Sequence, residues 1–487
     1  MACLAAIDLG TTGCRSMVFD EQLRLLGSEY AEYGLLTPQP DYCEQDAALW
    51  WELSCRTMRA AIAQSGVPGE AIGALGISSQ GISIVPVDRD YQPLRTALSW
   101  LDTRAVAEER QLLDELGLAA TFARTGKRIA ATYTLPKILW LQKNQPDIFA
   151  AADQFLMPLD FLTARLTGQA VTDPSMASGT LLFDIHQGVW DEAILRRYNI
   201  PAAKLARIRP CGTAVGSILP AAAKAIGLST GCRVCVGAQD QRCASLGAGL
   251  APGVATVSLG TAAAVCLLQK QCNPGTDMSA GWSPFVFEQT WVTEGVAGAA
   301  GASLRWLRDE IYRSPDYAAI NAEAAAARER GSQVLFLPYL SGPGFPRFDP
   351  ASTGCFYDVT LATTRGDFAL SVMEGVAFQV REILETMAAD GAMQKLILFG
   401  GGANSPIWRQ IFADVLNLPV SVPENSEMAG IGAAMLAGLG TGVFSKDTLP
   451  QLPIAKTVRP SSQAAACARQ YARYRWLEQR LEQGEKQ

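Results

Sequence analysis

The sequence predicts an α/β protein with two related halves, and two observations support that prediction. Short apolar runs that end at glycine turns alternate along the chain with helical patterns, an alternation typical of α/β folds. One pattern also occurs twice, as IDLGTTG at residues 7–13 and as VSLGTAA at residues 257–263. Each copy predicts a β-hairpin with a glycine turn.

The first half begins with three predicted strands, at residues 3–9, 14–20 and 25–35. Apolar side chains recur at helical spacing over residues 46–65, which predicts a helix. A further strand is predicted at residues 71–78, because its apolar run is short and is followed by a glycine.

The remainder of the first half is predicted to be largely helical at residues 103–170 and mixed at residues 172–230. Residues 233–239 then predict a strand that ends at Asp240, where a helix of small residues begins.

The second half starts near residue 252 and repeats the alternation of strands and helices. Its predicted elements are the hairpin at 254–268, strands at 291–294, 395–399 and 420–423, and helices at 298–312, 407–416, 430–438 and 462–484.

Composition limits the possible functions. The 487 residues are 49% hydrophobic and 18% charged, with a net charge of -6 and a pI of about 5.2. This balance predicts no nucleic-acid partner and no anionic membrane surface. The sequence has no apolar run of membrane-spanning length and no basic, cleavable leader, so we expect a cytoplasmic protein.

Cysteine and histidine usage narrows the chemistry. The 12 cysteines lie mostly in apolar segments and are expected to be free and buried. A pair with CxxC spacing, Cys232 and Cys235, falls on a predicted strand rather than in a metal loop. The single histidine, His186, excludes histidine-rich zinc sites and disfavours a Ser-His-Asp triad. Catalysis must therefore depend on carboxylates, backbone amides and a bound ion.

The repeated hairpin turn has the chemistry of a phosphate loop. Backbone N–H groups in a tight glycine turn, with a threonine hydroxyl beside them, suit phosphate oxygens. A single such turn is more often an ordinary turn, and the repetition favours phosphate binding. Only the first copy carries an acidic residue, Asp8, which predicts that Mg²⁺ and the transferred phosphate lie nearer the first half.

Eight short segments occur in the order found in one enzyme family. They are IDLGTT (7–12), EQD (44–46), WLDTR (100–104), LPKILW (135–140), GAQDQ (237–241), SLGT (258–261), FLPYLSG (336–342) and GGGA (400–403). With them the chain resembles the FGGY carbohydrate kinases, xylulokinase-like and glycerol kinase-like enzymes of the actin/hexokinase-like ATPase superfamily.

The resemblance implies a fold of two actin-like (ribonuclease H-like) domains that flank a central ATP/sugar cleft. The sugar-binding, catalytic domain is expected at residues 1–250, and the ATP-binding domain, with its terminal helix, at residues 251–487. ATP and Mg²⁺ are the implied cofactors, and the implied reaction phosphorylates a terminal hydroxyl of a small sugar or polyol. Homodimers are frequent in the family, but no segment of this chain defines an interface.

Asp240 matches the family's catalytic aspartate, which implies that it is the general base. A carboxylate within hydrogen-bond reach orients the attacking hydroxyl and accepts its proton, and phosphoryl transfer needs positioning more than covalent help. The alternative is that Asp240 only caps its helix. Asp8 is expected to hold Mg²⁺ through water, because this ion keeps much of its hydration shell.

The resemblance assigns nine more positions to the nucleotide. The moving phosphate is expected to contact Thr11, Thr12 and Arg15, and the ATP phosphates are expected to contact Gly260 and Thr261. The adenosine-facing loop of the family matches Gly402, Ala403 and Asn404, and a further nucleotide-side glycine matches Gly301. The alternative for each glycine is an ordinary turn.

The expected sugar site departs from its relatives. Its positions are Gln80, Gly81, Ile82, Asp102, Arg104 and Gln241. Where relatives carry hydrogen-bonding residues after the glutamine, this chain has Gly81 and Ile82, and Leu101 replaces an amide. A wall without hydrogen-bonding groups rejects substrates that present hydroxyls there. We therefore expect a ketose, pentulose, polyol or deoxy-sugar other than glycerol or D-xylulose.

Two alternatives from other functional classes stay open at this point. The chain could be an actin-like ATPase or a sugar-sensing protein that lacks productive phosphotransfer, and the pair Gly81 and Ile82 is the one feature in favour of that view. It could also be a glycan-binding or scaffold protein, which would be unaffected by changes at Asp8 and Asp240.

Overall fold

A computed structural model describes residues 3–275, 278, 280–314, 316–349, 352–388 and 393–484. The chain forms two compact units. The first unit contains Met1–Gly247, Gln269–Val292 and Glu427–Gln451, and the second contains Ala248–Leu268, Thr293–Ser426 and Leu452–Gln487. In the part of the chain that is described, none of the helices combines the length and apolar character that a membrane span requires.

Up to residue 247 the strands are β1 (Cys3–Leu9), β2 (Gly13–Phe19), β3 (Leu25–Glu32), β4 (Glu44–Gln45), β5 (Ile72–Ser79), β6 (Val85–Val87), β7 (Ala97–Leu98), β8 (Gln154–Leu156), β9 (Val171–Thr172), β10 (Phe183–Asp184), β11 (Val189–Trp190), β12 (Arg207–Ile208), β13 (Ala214–Ser217) and β14 (Arg233–Gln239). The helices are α1 (Ala47–Ser65), α2 (Val106–Leu116), α3 (Leu118–Thr125), α4 (Thr134–Asn144), α5 (Pro146–Ala151), α6 (Pro158–Thr167), α7 (Pro174–Ser178), α8 (Glu192–Arg197), α9 (Pro220–Ile226) and α10 (Asp240–Gly247).

From residue 248 onward the strands are β15 (Val254–Leu259), β16 (Ala263–Gln269), β17 (Gly281–Pro284), β18 (Trp291–Ala297), β19 (Leu335–Leu337), β20 (Cys355–Tyr357), β21 (Lys395–Phe399), β22 (Val420–Pro423) and β23 (Ile454–Val458). The helices are α11 (Gly301–Trp306), α12 (Tyr317–Glu329), α13 (Arg365–Met387), α14 (Pro406–Leu416), α15 (Met428–Gly440) and α16 (Ala464–Gly484). A π-helical segment, Leu307–Tyr312, continues α11.

The sheet of the first unit has the strand order β13-β14-β5-β1-β2-β3. Strands β14, β5 and β1 are parallel neighbours, whereas β1, β2 and β3 form an antiparallel meander. Leu9, Ser79 and Gln239 are register partners across the three parallel strands. The carboxyl ends of these strands therefore meet at one edge of the sheet, where ligands of open α/β sheets bind.

Helix α15 covers the sheet at distances that leave no room for side chains. A Cβ on Gly76 of β5 would lie 2.0 Å from the carbonyl oxygen of Ala433 on α15. A Cβ on Gly432 would lie 1.9 Å from the carbonyl oxygen of Cys243 on α10. Glycines thus bring the backbones of α10, α15 and β5 together, and α10 packs directly on α15.

The sheet of the second unit repeats this arrangement. Its strands stand in the order β18-β16-β15-β21-β22-β23. The hairpin β15–β16 is antiparallel, and β15, β21 and β22 are parallel. Both predicted hairpins are confirmed, each closed at its glycine turn by a backbone hydrogen bond: Gly10 N to Gly13 O at 2.9 Å and Gly260 N to Ala262 O at 3.0 Å.

Most predicted elements are present, and the α/β class is confirmed, but two helices of the second unit were not predicted. Helix α13 is buried along nearly its whole length, including its first-turn Asp367 and its central Glu374. Polar residues at buried positions depart from the apolar pattern by which a core-facing helix is predicted. Helix α12 is rich in alanine, which weakens the contrast between its apolar and polar faces.

The glycine contact between α10 and α15 predicts a large response to a small substitution. Gly432→Ala should lower the free energy of unfolding by roughly 1–3 kcal/mol, because the added methyl group overlaps a backbone oxygen. Gly73→Ala in β5 is the matched control, since a Cβ there meets nothing within 4 Å, and its effect should stay within about 0.5 kcal/mol. Urea unfolding measures both variants, and equal stabilities would contradict this packing.

Candidate active site

Asp8 lies near the carboxyl end of β1 and is half-buried. It is the register partner of Ser78 on β5, and the Ser78 hydroxyl donates a hydrogen bond of 2.8 Å to Asp8 Oδ1. Burial raises the pKa of Asp8 from 3.8 to about 6, with a smaller contribution from Glu427, while the Ser78 hydrogen bond and Arg15 act in the opposite direction. A carboxylate with this cost of ionisation gains from a nearby cation.

A Mg²⁺ ion fits this environment. Mg²⁺ keeps several waters and is usually bound through one or two carboxylates. Among the described residues there is no group of three or more His, Cys, Asp or Glu side chains that could form a metal cage. The single desolvated carboxylate of Asp8 therefore matches a hydrated Mg²⁺ and does not match a metal that requires a full set of protein ligands.

Contacts from three other segments hold the first hairpin turn from behind. Gln45 Nε2 donates to the carbonyl oxygen of Thr11 at 2.6 Å, and Trp100 Nε1 donates to the Thr11 hydroxyl at 2.8 Å. The Tyr33 hydroxyl donates to the carbonyl oxygen of Gly10. The turn is thus fixed by side chains, while the next residue, Thr12, is exposed.

Arg15 lies on β2 and is held by an ion pair. Its Nε lies 3.0 Å from Glu427 Oε2, and its guanidinium lies 4.9 Å from the centre of the Tyr30 ring. Arg15 is also the register partner of Asp8, so a positive charge lies beside the aspartate at the sheet edge.

Asp240 is the first residue of α10, directly after β14. Its Oδ1 accepts hydrogen bonds from the backbone N–H of Gln241 at 2.6 Å and from the side-chain amide of Gln239. The N–H of Gln239 donates to Ser175 Oγ at 3.1 Å. The carboxylate is half-buried and is mounted on a rigid junction between a strand and a helix. Gln241, also half-buried, follows it on the first turn of the helix.

Gln80 is fully buried behind the hairpin turn. Its Nε2 donates to Gln45 Oε1 at 2.9 Å, and its Oε1 accepts from the Ser83 hydroxyl at 3.3 Å. Because Gln45 in turn holds Thr11, Gln80 supports the phosphate-loop turn from the interior.

Gly81 and Ile82 form a strained turn at the sheet edge, and both are half-buried. Ile82 has φ of 70°, a rare conformation for a β-branched residue, and the Ser83 N–H donates to the Gly81 carbonyl oxygen at 2.7 Å across it. The Thr134 hydroxyl donates to the Ile82 carbonyl oxygen at 3.1 Å. Such strain persists only where the surroundings enforce it, which is common at functional sites.

Asp102 and Arg104 form a closed network below the surface. Their side chains are 0% and 1% exposed and form an ion pair of 2.7 Å. Arg104 also pairs with Glu44 at 2.6 Å and stacks 3.6 Å from the centre of the Tyr42 ring. These two residues hold the loop that carries Trp100 and do not face solvent in this structure.

Lys137 anchors the same loop from the interior. Its Nζ donates to the carbonyl oxygen of Ser99 at 2.6 Å, and burial lowers the pKa of Lys137 to about 7. The exposed indole of Trp100 is thereby fixed against Thr11.

In the second unit, the residues that the sequence assigns to the nucleotide lie on the loop after β15, at the start of α11 and on the loop after β21. The Gly301 N–H donates to the Gly260 carbonyl oxygen at 3.0 Å, and a Cβ on Gly301 would lie 2.3 Å from that oxygen. Gly260 and Thr261 are exposed. The start of α11 thus supports the second hairpin turn.

The loop after β21 also packs on the second hairpin. A Cβ on Gly402 would lie 2.5 Å from Leu259 Cγ, so a glycine is required for that contact. Asn404 is exposed, whereas Ala403 is buried. The backbone of the loop, more than the Ala403 side chain, is available to a ligand.

Sequence reasoning missed three side chains at this edge. The Ser78 hydroxyl donates a hydrogen bond to Asp8, and Ser175 Oγ accepts one from the N–H of Gln239. The Gln239 side-chain amide in turn donates to Asp240. The available signal was the strand register, because Ser78 lies beside Asp8 only when β1 and β5 are parallel neighbours.

Two family models match the chain. The N-terminal domain of the FGGY family of carbohydrate kinases matches residues 3–247, and the C-terminal domain of that family matches residues 255–441.

Curated proteins of known name and a solved structure are similar over nearly the whole chain. A xylulose kinase of Escherichia coli (strain K12) is 30% identical over 94% of this chain and 95% of its own length. A glycerol kinase of Bordetella parapertussis is 32% identical over 91% of this chain and 89% of its own length. The crystal structure of a xyloylose kinase from Brucella ovis superimposes with a TM-score of 0.90, at 28% identity, over 99% of both chains.

The raised pKa of Asp8 predicts that a neutral isostere stabilises the protein in the absence of Mg²⁺. The folded state holds the carboxyl proton of Asp8 more tightly than the unfolded chain does. Protonation of Asp8 therefore contributes its full stabilisation of the fold below about pH 3.8, and this contribution is lost as the pH rises through about 6. Asp8→Asn keeps an acceptor for Ser78 and carries no charge. It should therefore exceed wild type in unfolding free energy by about 1–3 kcal/mol at neutral pH.

Urea unfolding in Mg²⁺-free buffer at about pH 7.5 and about pH 4.5 measures this difference, which should shrink at the lower pH. Asp114→Asn, at an exposed position of α2, is the control and should show little change. A wild type that is more stable than Asp8→Asn at neutral pH would contradict the assigned desolvation of Asp8.

Proposed function

Because the chain belongs to the FGGY family of carbohydrate kinases, it phosphorylates a sugar or polyol with Mg·ATP, and we propose that Asp240 is its general base. The supporting observation is the position of Asp240 at the shared carboxyl edge of three parallel strands, one strand away from Ser78 and two from Asp8. Such an edge is the usual ligand site of an open α/β sheet.

The geometry around Asp240 suits a base that positions a hydroxyl. Its carboxylate is kept at the start of α10 by the N–H of Gln241, so one oxygen is anchored and the carboxylate plane is restrained. A restrained carboxylate within reach of the attacking hydroxyl orients it and takes its proton in the transition state. Positioning of this kind supplies most of the protein's contribution to phosphoryl transfer.

The phosphate-binding roles follow from the two hairpin turns. Mg²⁺ neutralises the charge that develops on phosphoryl oxygens, and Asp8 would hold it. The turn at Thr11 and Thr12 presents N–H groups and hydroxyls to the transferred phosphate. Gly260, Thr261, Gly301, Gly402, Ala403 and Asn404 would serve the rest of the nucleotide. Arg15 would supply positive charge beside Asp8.

The substrate is proposed to present a weakly hydrogen-bonding face to Gly81 and Ile82. Neither side chain donates or accepts a hydrogen bond, so a hydroxyl buried there would lose its partners. Relatives of similar identity are named xylulose kinase and glycerol kinase, so overall identity does not select between their substrates. We propose a ketose, pentulose, polyol or deoxy-sugar that neither name covers, with Gln241 among its contacts and Asp102 and Arg104 supporting the wall.

An actin-like ATPase or a sugar sensor without phosphotransfer is not favoured. The family is one of carbohydrate kinases, and Asp8, Asp240 and both hairpin turns are retained. The pair Gly81 and Ile82, which kept this alternative open, alters one wall of the site and leaves the proposed base in place.

Cytoplasmic location and a homodimer belong to the same proposal. All 12 cysteines are free, and nine are buried, which suits a reducing compartment. The dimer follows from the family resemblance, and sedimentation equilibrium would test it. We also propose that the sugar-binding domain ends, and the ATP-binding domain begins, near residue 250.

A substrate panel tests the proposed specificity. ADP release from Mg·ATP is followed with polyols, ketopentoses, ketohexoses and deoxy-sugars, with glycerol and D-xylulose included. One compound outside those two should give the highest kcat/KM. Glycerol or D-xylulose as clearly the best substrate would refute the specificity while leaving the assignment of the base untouched.

Asp240→Asn should lower kcat by roughly 10²–10⁴-fold, because the amide cannot accept the hydroxyl proton. Folding should be retained, since asparagine also accepts the Gln241 N–H. Asp46→Asn is the matched control, because Asp46 caps α1 through the N–H of Ala48 at 2.9 Å. If Asp240 only capped its helix, the two variants would behave alike, and turnover near the wild-type rate would sink the assignment.

A further inference from the structure

The side chain of Gln239 forms a bridge at the strand–helix junction before Asp240. Its Nε2 donates a hydrogen bond to Asp240 Oδ1, and its Oε1 accepts one from the backbone N–H of Gln241 at 3.1 Å. A carboxylate accepts only, and a backbone N–H donates only, so just one orientation of the amide satisfies both partners. A primary amide is a neutral side chain with both the donor and the acceptor that this bridge requires.

The backbone of Gln239 is fixed as firmly as its side chain. Its N–H donates to Ser175 Oγ at 3.1 Å. Ser175 is tied to Asp173 through its own N–H, which donates to Asp173 Oδ1 at 2.7 Å, and through its hydroxyl. Asp173 is fully buried and caps α7. Gln239 is therefore restrained from the buried interior on one side while its amide reaches the carboxylate on the other.

Gly81 provides the space that Gln239 occupies. A Cβ at position 81 would lie 3.3 Å from Gln239 Cγ and 3.9 Å from Met176 Sδ. The first distance is tighter than ordinary van der Waals contact, so a side chain at position 81 would press on the stem of the glutamine. The strained turn at Ile82 keeps Gly81 in this place.

We propose that Gln239 is the positioning residue for Asp240, and that Gly81 favours this arrangement because it leaves room for the Gln239 side chain. This inference rests on the proposed role of Asp240 as the general base. Gly81 then has a role besides its lack of a hydrogen-bonding side chain toward the substrate. It leaves the space in which Gln239 restrains Asp240. The sugar wall and the base are thereby coupled through one glutamine.

The amide donor has a direct chemical consequence. A hydrogen bond donated to a carboxylate stabilises the charged form, which is the form that accepts a proton. The same bond restrains the rotation of the carboxylate and keeps the opposite oxygen directed away from Gln239. Removing the amide should therefore affect both the ionisation and the orientation of Asp240.

Three variants separate positioning from packing. Gln239→Ala removes the amide, and Gln239→Glu keeps its shape while replacing the donor with a second carboxylate. If Gln239 only filled space, the isosteric glutamate would resemble wild type more closely than alanine does. If it positions the base, the glutamate variant is the worse of the two at neutral pH, because like charges disfavour ionisation of Asp240. Gln142→Ala, at a half-buried position of α4 where the amide donates to the Tyr198 carbonyl oxygen, is the control.

The first measurement needs no substrate. Protein with carbon-13-labelled aspartate side chains is titrated by NMR, and the Asp240 resonance is assigned by its loss in Asp240→Asn. Its midpoint should move to higher pH in Gln239→Ala, move further in Gln239→Glu, and stay in place in Gln142→Ala. An unchanged midpoint in Gln239→Ala and Gln239→Glu would overturn the inference, whatever the activity of the enzyme.

The second measurement uses Mg·ATP and the best substrate of the panel. Gln239→Ala should lower kcat by roughly 10-fold, with KM within about twofold of wild type, and should move the acid limb of the kcat profile to higher pH. Gly81→Ala should have a similar effect in wild type and little further effect in Gln239→Ala, because both changes act on one contact. Additive losses would contradict the coupling.

The two proposals fail in different ways. Normal turnover by Asp240→Asn removes the general base, whereas normal kcat and an unmoved acid limb in Gln239→Ala, with Asp240→Asn inactive, remove only the positioning role.

Discussion

Strand β14 lies so close to β5 that a Cβ on Gly237 would come within 1.5 Å of the Ile77 carbonyl oxygen. This contact, together with the glycine contacts of α15, sets the position of the three parallel strands on which the first unit is built. Because β1, β5 and β14 end in register, Asp8, Ser78 and Asp240 come to one edge from segments far apart in sequence. Each catalytic assignment in the first unit depends on that alignment.

Ionising the buried carboxylates at this sheet edge costs free energy, and neighbouring hydrogen bonds reduce that cost. Burial raises the pKa of Asp8 to about 6 and that of Asp173 to about 6 as well, so both carboxylates ionise against a desolvation cost. Hydrogen bonds donated by the hydroxyls of Ser78 to Asp8 and of Ser175 to Asp173 partly offset this desolvation cost. A cation bound at Asp8 would offset part of that cost.

Local pattern predicted the parts of the fold that local sequence determines. Both hairpins, the helix after Asp46 and the start of a helix at Asp240 follow from turn residues, caps and periodicity. The family resemblance supplied the roles. Neither could show that Gln80 supports a turn from the interior, or that Arg104 is buried between Glu44 and Tyr42. The sequence alone does not tell whether a polar side chain contacts a ligand or another part of the protein. Helix α13 was missed because buried polar residues such as Glu374 interrupt its apolar pattern.

The central reaction of this protein is transfer of the terminal phosphoryl group of ATP to a carbohydrate hydroxyl rather than to water. The most direct measurement is the fate of a radiolabelled γ-phosphoryl group in the presence of the sugar and polyol panel. We expect the label to move to one carbohydrate, transfer to exceed hydrolysis, and transfer to require both Mg²⁺ and Asp240. Release of the label as inorganic phosphate at the same rate with and without every carbohydrate would contradict this expectation.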